Sequence, residues 1–164
     1  MSTPELPAHW IWRADAVHAG PAVVVDMDGV LSDASGRQHL LEGPMPRWDA
    51  FFEACGEDAP IPEALTLLRM LDAKYAVVLL TARPVRVRPQ TLDWLGRHPV
   101  RWDLLIMRDE DDWSSSHHFK RVELRELRRA GFVPELAIDD DPRNVEMYRK
   151  EGVDALYFHS GYYD

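Results

Sequence analysis

Four polar clusters in the sequence have residue types that suit phosphate chemistry beside a divalent cation. In chain order they are Asp26-Met27-Asp28-Gly29-Val30, Thr81-Ala82-Arg83, Lys120 and Asp139-Asp140-Asp141. Carboxylates that crowd together raise one another's pKa, and a hard cation with oxygen ligands, typically Mg²⁺, relieves that repulsion. A carboxylate held beside a metal ion and a phosphate can attack phosphorus and form an aspartyl-phosphate. The clusters therefore indicate a Mg²⁺-dependent phosphate site, provided that the fold brings them together.

Short apolar runs alternate with helix-like segments along most of the chain. The runs are Ala22–Val25, Ala76–Leu80, Trp102–Met107, Leu136–Ile138 and Ala155–Phe158. They are apolar on both faces, which is typical of parallel strands covered on both sides. The helical segments are Glu63–Lys74, Pro89–Gly96, Ser116–Ala130 and one that Pro142 begins behind an Asp141 cap. The alternation predicts an α/β fold, a Rossmann-like doubly wound parallel sheet.

A sheet of this kind binds its ligands beyond the carboxyl ends of its strands. Asp26, Thr81 and Asp139 each follow one of the predicted strands directly, and Lys120 lies near the start of the helix that precedes the strand of Asp139. Taken singly, Thr81 is a turn residue, Lys120 a solvated charge and Asp139-Asp140-Asp141 a helix cap. The occurrence of all of them in order, at one edge of one sheet, favours the functional interpretation.

Composition limits the classes of function. The chain has 164 residues, which suits one domain, and a formal net charge of -9. Such a charge argues against a protein that coats long stretches of nucleic acid, but not against one that grips a strand end with a few arginines. We find no apolar run of about 20 residues and no signal peptide, so we expect a cytoplasmic protein without a membrane partner. The oligomeric state is not fixed by the sequence.

Two regions stand outside the alternation. Residues 1–20 are predicted to form an N-terminal arm of undetermined role, either a strand through Trp10 and Trp12 or a packed segment. Residues 21–164 then form one domain, interrupted at about residues 37–60 by a small lid of about one helix. The lid carries the aromatic residues Trp48, Phe51 and Phe52, which form either the core of the lid or a surface on which a base stacks.

The four clusters resemble, in order and spacing, the motifs of the haloacid dehalogenase (HAD) superfamily of phosphotransferases. Its D-x-D-G-[TV] motif matches Asp26 to Val30, its Thr or Ser matches Thr81, its Lys matches Lys120 and its acidic pair matches Asp139-Asp140. Within the superfamily, the chain resembles the 3′-phosphatase domain of the phage-type polynucleotide kinase/phosphatases. That narrower resemblance is carried by the arginines Arg37, Arg83 and Arg108.

The resemblance implies roles for these residues. Asp26 would be the nucleophile, and Asp28 the acid and then the base. Thr81 would bind a phosphate oxygen, and Lys120 would neutralise charge. The metal site would be formed by Asp26, the backbone carbonyl of Asp28, Asp139 and Asp140. We favour Asp139 as the direct ligand and Asp140 as a ligand either directly or through a water molecule.

The function that the resemblance implies is removal of a 3′-phosphate from a nucleic acid end. Arg37, Arg83 and Arg108 would then contact phosphates of the strand end, and the alternative for each is surface ion pairing. The kinase half of the bifunctional enzymes has no counterpart in this sequence, so a separate kinase or ligase is a candidate partner. Two other functions stay open: a phosphatase for small molecules such as nucleotides or sugar phosphates, and a non-catalytic phosphate-binding regulatory module.

Overall fold

The structure, a computed structural model, describes residues 5–164 and confirms the doubly wound α/β fold. The strands are β1 (Ile11–Trp12), β2 (Pro21–Val25), β3 (Ser32–Asp33), β4 (Ala59–Pro60), β5 (Ala76–Pro84), β6 (Leu104–Arg108), β7 (Val133–Asp139) and β8 (Asp154–Tyr157). The α-helices are α1 (Trp48–Glu53), α2 (Pro62–Met70), α3 (Arg88–Arg97), α4 (Ser116–Arg129) and α5 (Pro142–Lys150). Short 3-10 helices span Ala34–Leu41, Ala54–Glu57 and Val85–Val87.

Six strands of the described chain form the main sheet, in the order β1-β6-β5-β2-β7-β8. β2 is central and pairs in parallel with both β5 and β7, while β1 pairs antiparallel with β6. Along β2, Val23 and Val25 belong to one hydrophobic cluster, whereas Ala22 and Val24 belong to another. The strand is thus covered on both faces, as its unbroken apolar run predicts.

Several element boundaries shift by a few residues from the sequence expectations, and two differences have a clear physical reason, the burial of β8 and the length of α2. β8 forms an edge of the sheet and leaves Leu156 and Tyr157 exposed, so the expectation that Ala155–Phe158 is covered on both faces is wrong. α2 ends at Met70, before the predicted Lys74, because the Asp72 carboxylate accepts a hydrogen bond from the Lys74 N–H at 2.8 Å and forms a turn there.

The first described residues pack against the sheet and against α4. Trp10 is buried and its ring N–H donates to the Glu123 carboxylate at 3.1 Å. Its ring also lies edge-on to Trp12 and Phe132. Residues 5–20 therefore include both alternatives left open by the sequence, a short strand and a packed segment; residues 1–4 lie outside the described residues.

The predicted lid region holds α1 and two of the 3-10 helices. Its ends are joined by the two-stranded sheet of β3 and β4, and the Ile61 N–H donates to the Leu31 carbonyl at 2.8 Å. Phe51 is buried while Trp48 is half-exposed. No helix of residues 5–164 is long and apolar enough to cross a membrane.

Candidate active site

The carboxyl ends of β2, β5 and β7 bring the sequence clusters to one cavity. Asp26 follows β2 directly, Thr81 lies in the extended part of β5, and Asp139 ends β7. A cavity of about 940 Å³ opens at this edge and is lined by Asp26, Asp28, Thr81, Arg108 and Lys120. The site thus forms where parallel strands end on either side of the central strand, as expected for such a sheet.

Lys120 links the carboxyl ends of β2 and β7. Its Nζ donates to Asp26 Oδ1 at 2.9 Å and to Asp139 Oδ2 at 2.7 Å, and the side chain is buried. Burial alone would lower the pKa of Lys120, but the charges of Asp139 and Asp26 raise it well above its usual value. The lysine therefore stays protonated and holds the two carboxylates at fixed positions.

Three buried carboxylates gather beside Lys120. Asp26, Asp139 and Asp140 each offer an oxygen, and these oxygens lie within 4.8 Å of one another. Burial, and next the negative charge of Asp139, raise the pKa of Asp26. Burial likewise raises the pKa of Asp140 to about 6. A buried acidic set of this kind fits a hard divalent cation, which would favour the ionised form of each group.

Hydrogen bonding separates the two members of the acidic pair. Asp139 accepts hydrogen bonds from Lys120, from the Asn144 side-chain amide at 3.1 and 3.2 Å, and from the Asp141 backbone N–H at 3.0 Å. Both carboxylate oxygens of Asp140 are buried and have no hydrogen-bond partner among residues 5–164. This arrangement favours Asp140 as the direct metal ligand, whereas Asp139 was the ligand expected from the sequence.

Gly29 is required here by both conformation and space. Its φ is +83°, in the region that side chains disfavour, and a Cβ on it would lie 2.1 Å from Asp140 Oδ2. The Gly29 N–H donates to the Ser32 carbonyl at 2.8 Å, which turns the chain sharply after Asp28. The glycine of the D-x-D-G motif thus leaves room for the Asp140 carboxylate.

Asp28 lies between two buried arginines. Arg37 Nη2 donates to Asp28 Oδ1 at 2.7 Å, and Arg83 donates to the same oxygen through Nη2 at 2.6 Å and Nε at 3.0 Å. Burial would raise the pKa of Asp28, but the charges of Arg83 and then Arg37 outweigh it and lower the pKa. In this arrangement Asp28 is ionised and its carboxylate is held in one orientation.

Arg37 and Arg83 are only 3% and 0% exposed, so the alternative of surface ion pairing is wrong for both. Their guanidinium groups contact Asp28, and neither residue lines the cavity, so direct contact with substrate stays a prediction for them. Arg108 is different: it ends β6, lines the cavity, and has its guanidinium carbon 5.4 Å from the Phe119 ring centroid. Its buried Nε has no partner in the described chain. Arg108 is therefore the best placed of the three for a substrate contact.

Asp58 completes this network, and sequence reasoning missed it. It accepts from Arg37 Nε at 2.9 Å and Nη2 at 2.6 Å, and also from the Ser32 hydroxyl. Arg83 Nη2 lies 3.7 Å from Asp58 Oδ2, the oxygen that Arg37 Nη2 also contacts. No motif marks Asp58 in the sequence, where it stands between Glu57 and Ala59-Pro60 at the end of the lid region. Only the pairing of β3 with β4 brings it beside the arginines.

Removal of the Asp58 carboxylate should destabilise the protein. Asp58→Ala leaves Arg37 buried with an unbalanced charge, which typically costs about 3–5 kcal/mol of unfolding free energy. Asp49→Ala removes a carboxylate that is 88% exposed and pairs with Arg86, and it should cost less than about 1 kcal/mol. Chemical denaturation of both variants measures the difference. Equal, small losses would contradict a structural role for the buried network.

A family model of known proteins matches most of the chain. Residues 20–163 match the family model described as "Polynucleotide kinase PNKP phosphatase domain". No curated protein matches the chain.

Solved structures give the same result. Two structures of the Pnkp1/Rnl/Hen1 complex, one described as an RNA repair complex, contain a chain 26% identical to this one with a TM-score of 0.73. The match covers 91% of this chain but only 45% and 48% of those chains, so this chain spans about half their length. A class C acid phosphatase from Bacillus anthracis with tungstate bound shares the fold, at 16% identity and a TM-score of 0.65, over 90% of this chain and 69% of that one.

The family match covers nearly the whole chain and includes every strand end that contributes to the site. The chain therefore belongs to the family of polynucleotide kinase PNKP phosphatase domains, within the HAD superfamily.

Proposed function

We propose that the chain is a Mg²⁺-dependent phosphomonoesterase that removes 3′-phosphates from nucleic acid ends through an aspartyl-phosphate at Asp26. The observation that carries the proposal is the position of the Asp26 carboxylate: it lies on the wall of the cavity, bonded to the buried Lys120 and beside the unpartnered Asp140. Residues 21–164 would act as one catalytic domain, with residues 37–60 as its lid.

The residues present fit a Mg²⁺ ion. Asp26, Asp140 and the Asp28 backbone carbonyl would hold it, with Asp139 near enough to serve as a further ligand. When bound, the ion would neutralise charge on the phosphate and on the carboxylates around it. The buried, unpartnered oxygens of Asp140 are the feature that this assignment explains, since a buried carboxylate without a partner is costly.

In the first step, an Asp26 carboxylate oxygen attacks phosphorus while the bond from phosphorus to the ester oxygen breaks. Asp28, which Arg83 and Arg37 keep ionised in the free site, takes up a proton when the phosphate monoester binds and gives it to the departing sugar oxygen. Lys120 keeps its positive charge beside Asp26, and the Thr81 hydroxyl donates to a phosphate oxygen. The backbone N–H of Met27 is a further candidate for stabilising the developing charge, whereas the Gly29 N–H, expected from the resemblance to do the same, is bonded to the Ser32 carbonyl.

In the second step, Asp28 takes a proton from a water molecule that attacks the phosphorus of the aspartyl-phosphate. The acyl phosphate bond breaks, and Asp26 and inorganic phosphate are released. The ion pairs with Arg37 and Arg83 suit this step, because they favour Asp28 as a carboxylate that is ready to accept a proton. All three hydrogen bonds from these arginines go to Oδ1, which leaves Oδ2 as the oxygen that accepts the proton.

The nucleic acid assignment draws on the family and on Arg108. A PNKP phosphatase domain gives the precedent for a polynucleotide end, and the similar chains occur in a Pnkp1/Rnl/Hen1 RNA repair complex. By the same analogy a separate kinase or ligase is a candidate partner, and a cytoplasmic location stays a prediction. A regulatory module without turnover is disfavoured, since it has no need for Asp28 as an acid.

A small-molecule phosphatase is the second candidate function, and one observation favours it. Among the charged residues that line the cavity beyond the catalytic centre, acidic ones outnumber arginines, and the formal net charge of the chain is -9. Such a surface does not attract a long polyanion. The choice between the two candidates therefore depends on substrate preference.

Substrate preference tests the proposal directly. With Mg²⁺, the protein should release phosphate from an oligonucleotide with a 3′-phosphate at least about 100-fold faster, in kcat/KM, than from its 5′-phosphorylated counterpart. A panel of nucleoside monophosphates and sugar phosphates belongs in the same assay. Asp26→Asn, which removes the attacking charge at constant size, is the control and should lower kcat by about 10³-fold or more. Preference for the small esters would retain the mechanism and exclude the nucleic acid substrate.

Asp140 provides a test of the metal site that does not depend on turnover. Mg²⁺ should raise the melting temperature of the protein, because it binds the folded site and relieves carboxylate repulsion. Asp140→Asn should remove most of that rise, whereas Asp154→Asn, at an exposed position on β8, should leave it unchanged. Thermal unfolding with and without Mg²⁺ measures both. An undiminished rise in Asp140→Asn would exclude Asp140 as a ligand.

A further inference from the structure

We infer that Trp48 and Trp113 form the binding surface for the terminal nucleobase of the substrate, and that stacking there, rather than contact with further phosphates, supplies the affinity. This inference rests on the proposed function in that it assumes a nucleotide substrate. Both indoles line the same cavity as Asp26 and Asp28. They come from different parts of the chain, α1 and the loop between β6 and α4.

Trp113 is an exposed indole on a well-organised loop. The residue is 90% exposed and stacks on no other aromatic ring of residues 5–164. The loop around it is nevertheless fixed: the Asp111 N–H donates to Asp109 Oδ1 at 2.9 Å, and the Ser114 N–H donates to Asp112 Oδ1 at 2.9 Å. These two turns shape the loop backbone beside the cavity, so a ligand that stacks there needs to order only the indole and not the loop.

Trp48 offers a second, supported ring. It is 53% exposed, and its indole stacks on Phe52 with centroids 5.9 Å apart and an angle of 26°. Phe51 lies edge-on to it at 5.8 Å. Phe51 and Phe52 thus serve as the core of the lid, which leaves Trp48 as the member of the trio with surface available for a base.

Charge at the cavity opening argues against binding through several phosphates. Asp49, Glu53, Asp109, Glu110 and Asp112 all line the cavity. Arg86, Arg108 and Arg143 also line it. The guanidinium of Arg86 is bonded to Asp49 at 2.9 Å and to Glu110 at 3.3 Å, and that of Arg143 is bonded to Asp141 at 2.9 Å, which leaves Arg108 for a phosphate.

A single-stranded substrate carries one negative charge for each nucleotide, and every phosphate beyond the terminal one would approach this acidic rim. A base is uncharged and polarisable, so it gains from the two indoles without that repulsion. The combination of an acidic rim with exposed indoles therefore selects one nucleotide, bound by its base, with its phosphate directed to Asp26. Affinity should then be nearly independent of strand length.

A double-mutant cycle between Trp113 and the terminal base tests this arrangement. Trp113→Ala should raise KM for a 3′-phosphorylated oligonucleotide about 10-fold at unchanged kcat, since base stacking on an aromatic side chain is of that strength. Trp113→Phe should stay within about 3-fold of the wild type. An oligonucleotide that ends in an abasic 3′-phosphate should show the higher KM with the wild type and no further rise with Trp113→Ala.

The matched control is Met70→Ala, which removes another exposed apolar side chain, 78% exposed on α2 and outside the cavity. It should leave KM unchanged. If Trp113→Ala leaves KM unchanged, or raises it equally for the abasic substrate, the inference is overturned.

Failure of the proposed function gives a different pattern. If the enzyme acts on nucleoside monophosphates but not on oligonucleotide ends, the proposed function is wrong. The same cycle, with nucleoside phosphates compared with ribose phosphates, then tests base stacking on Trp113 independently. If it acts on no nucleotide at all, both the inference and the proposed function are wrong.

Salt dependence tests the second half of the inference. At constant saturating Mg²⁺, log(kcat/KM) for a single-stranded 3′-phosphorylated 10-mer should fall with log[KCl] at a slope no steeper than about −1, since each neutralised phosphate contributes about −0.7. A 3′-phosphorylated dinucleotide should give the same slope and a kcat/KM within about 3-fold. A slope of about −3 for the 10-mer alone would show extended phosphate contacts and overturn the inference.

Discussion

Repulsion among the carboxylates at the end of the central strands is the constraint on which the site depends. Asp26, Asp139 and Asp140 are buried together because the strands that carry them are adjacent and parallel. Lys120, in the first turns of α4, balances part of their charge through two short ion pairs. The negative charge that Lys120 does not balance lies on Asp140, whose buried oxygens have no partner in the described chain, so a cation is needed there.

A second charge network surrounds Asp28, and in it the positive and negative groups are equal in number. There two buried guanidinium groups share Asp28 and Asp58. The two networks place the carboxylates of the D-x-D motif in different environments: the pKa of Asp26 is raised mainly by burial, whereas the arginines hold that of Asp28 down. Two acidic residues separated by one residue in sequence thus have environments that shift their pKa values in opposite directions, as the proposed roles of nucleophile and proton carrier require.

The sheet and the cluster of polar residues at its edge were predictable because both follow from short sequence patterns, the apolar runs and the residues directly after them. Apolar runs indicate buried strands, and parallel strands place whatever follows them at one edge, so Asp26, Thr81 and Asp139 could be brought together from sequence. Asp58 could not, because it lies in a segment without periodicity and reaches the site through a two-residue strand pair.

Side-chain direction was the other limit on prediction. Spacing identified Arg37 and Arg83 as part of the site, but it does not tell whether a guanidinium points to the substrate or to Asp28. No pattern in the sequence indicates a binding role for Trp113, because a single tryptophan in an acidic loop is common. Its position is informative only once the cavity beside it is known.

The short pairing of β3 with β4 has a consequence for how relatives of this protein can diverge. It joins the two ends of the segment between β3 and β4, which contains the lid. Arg37 and Asp58 are bonded to each other close to these ends. Since the entropy of closing a loop grows only slowly with its length, residues between them can be inserted, deleted or exchanged at little thermodynamic cost. The segment between β3 and β4 can therefore be exchanged in length and sequence without displacing the acidic cluster at the ends of β2 and β7.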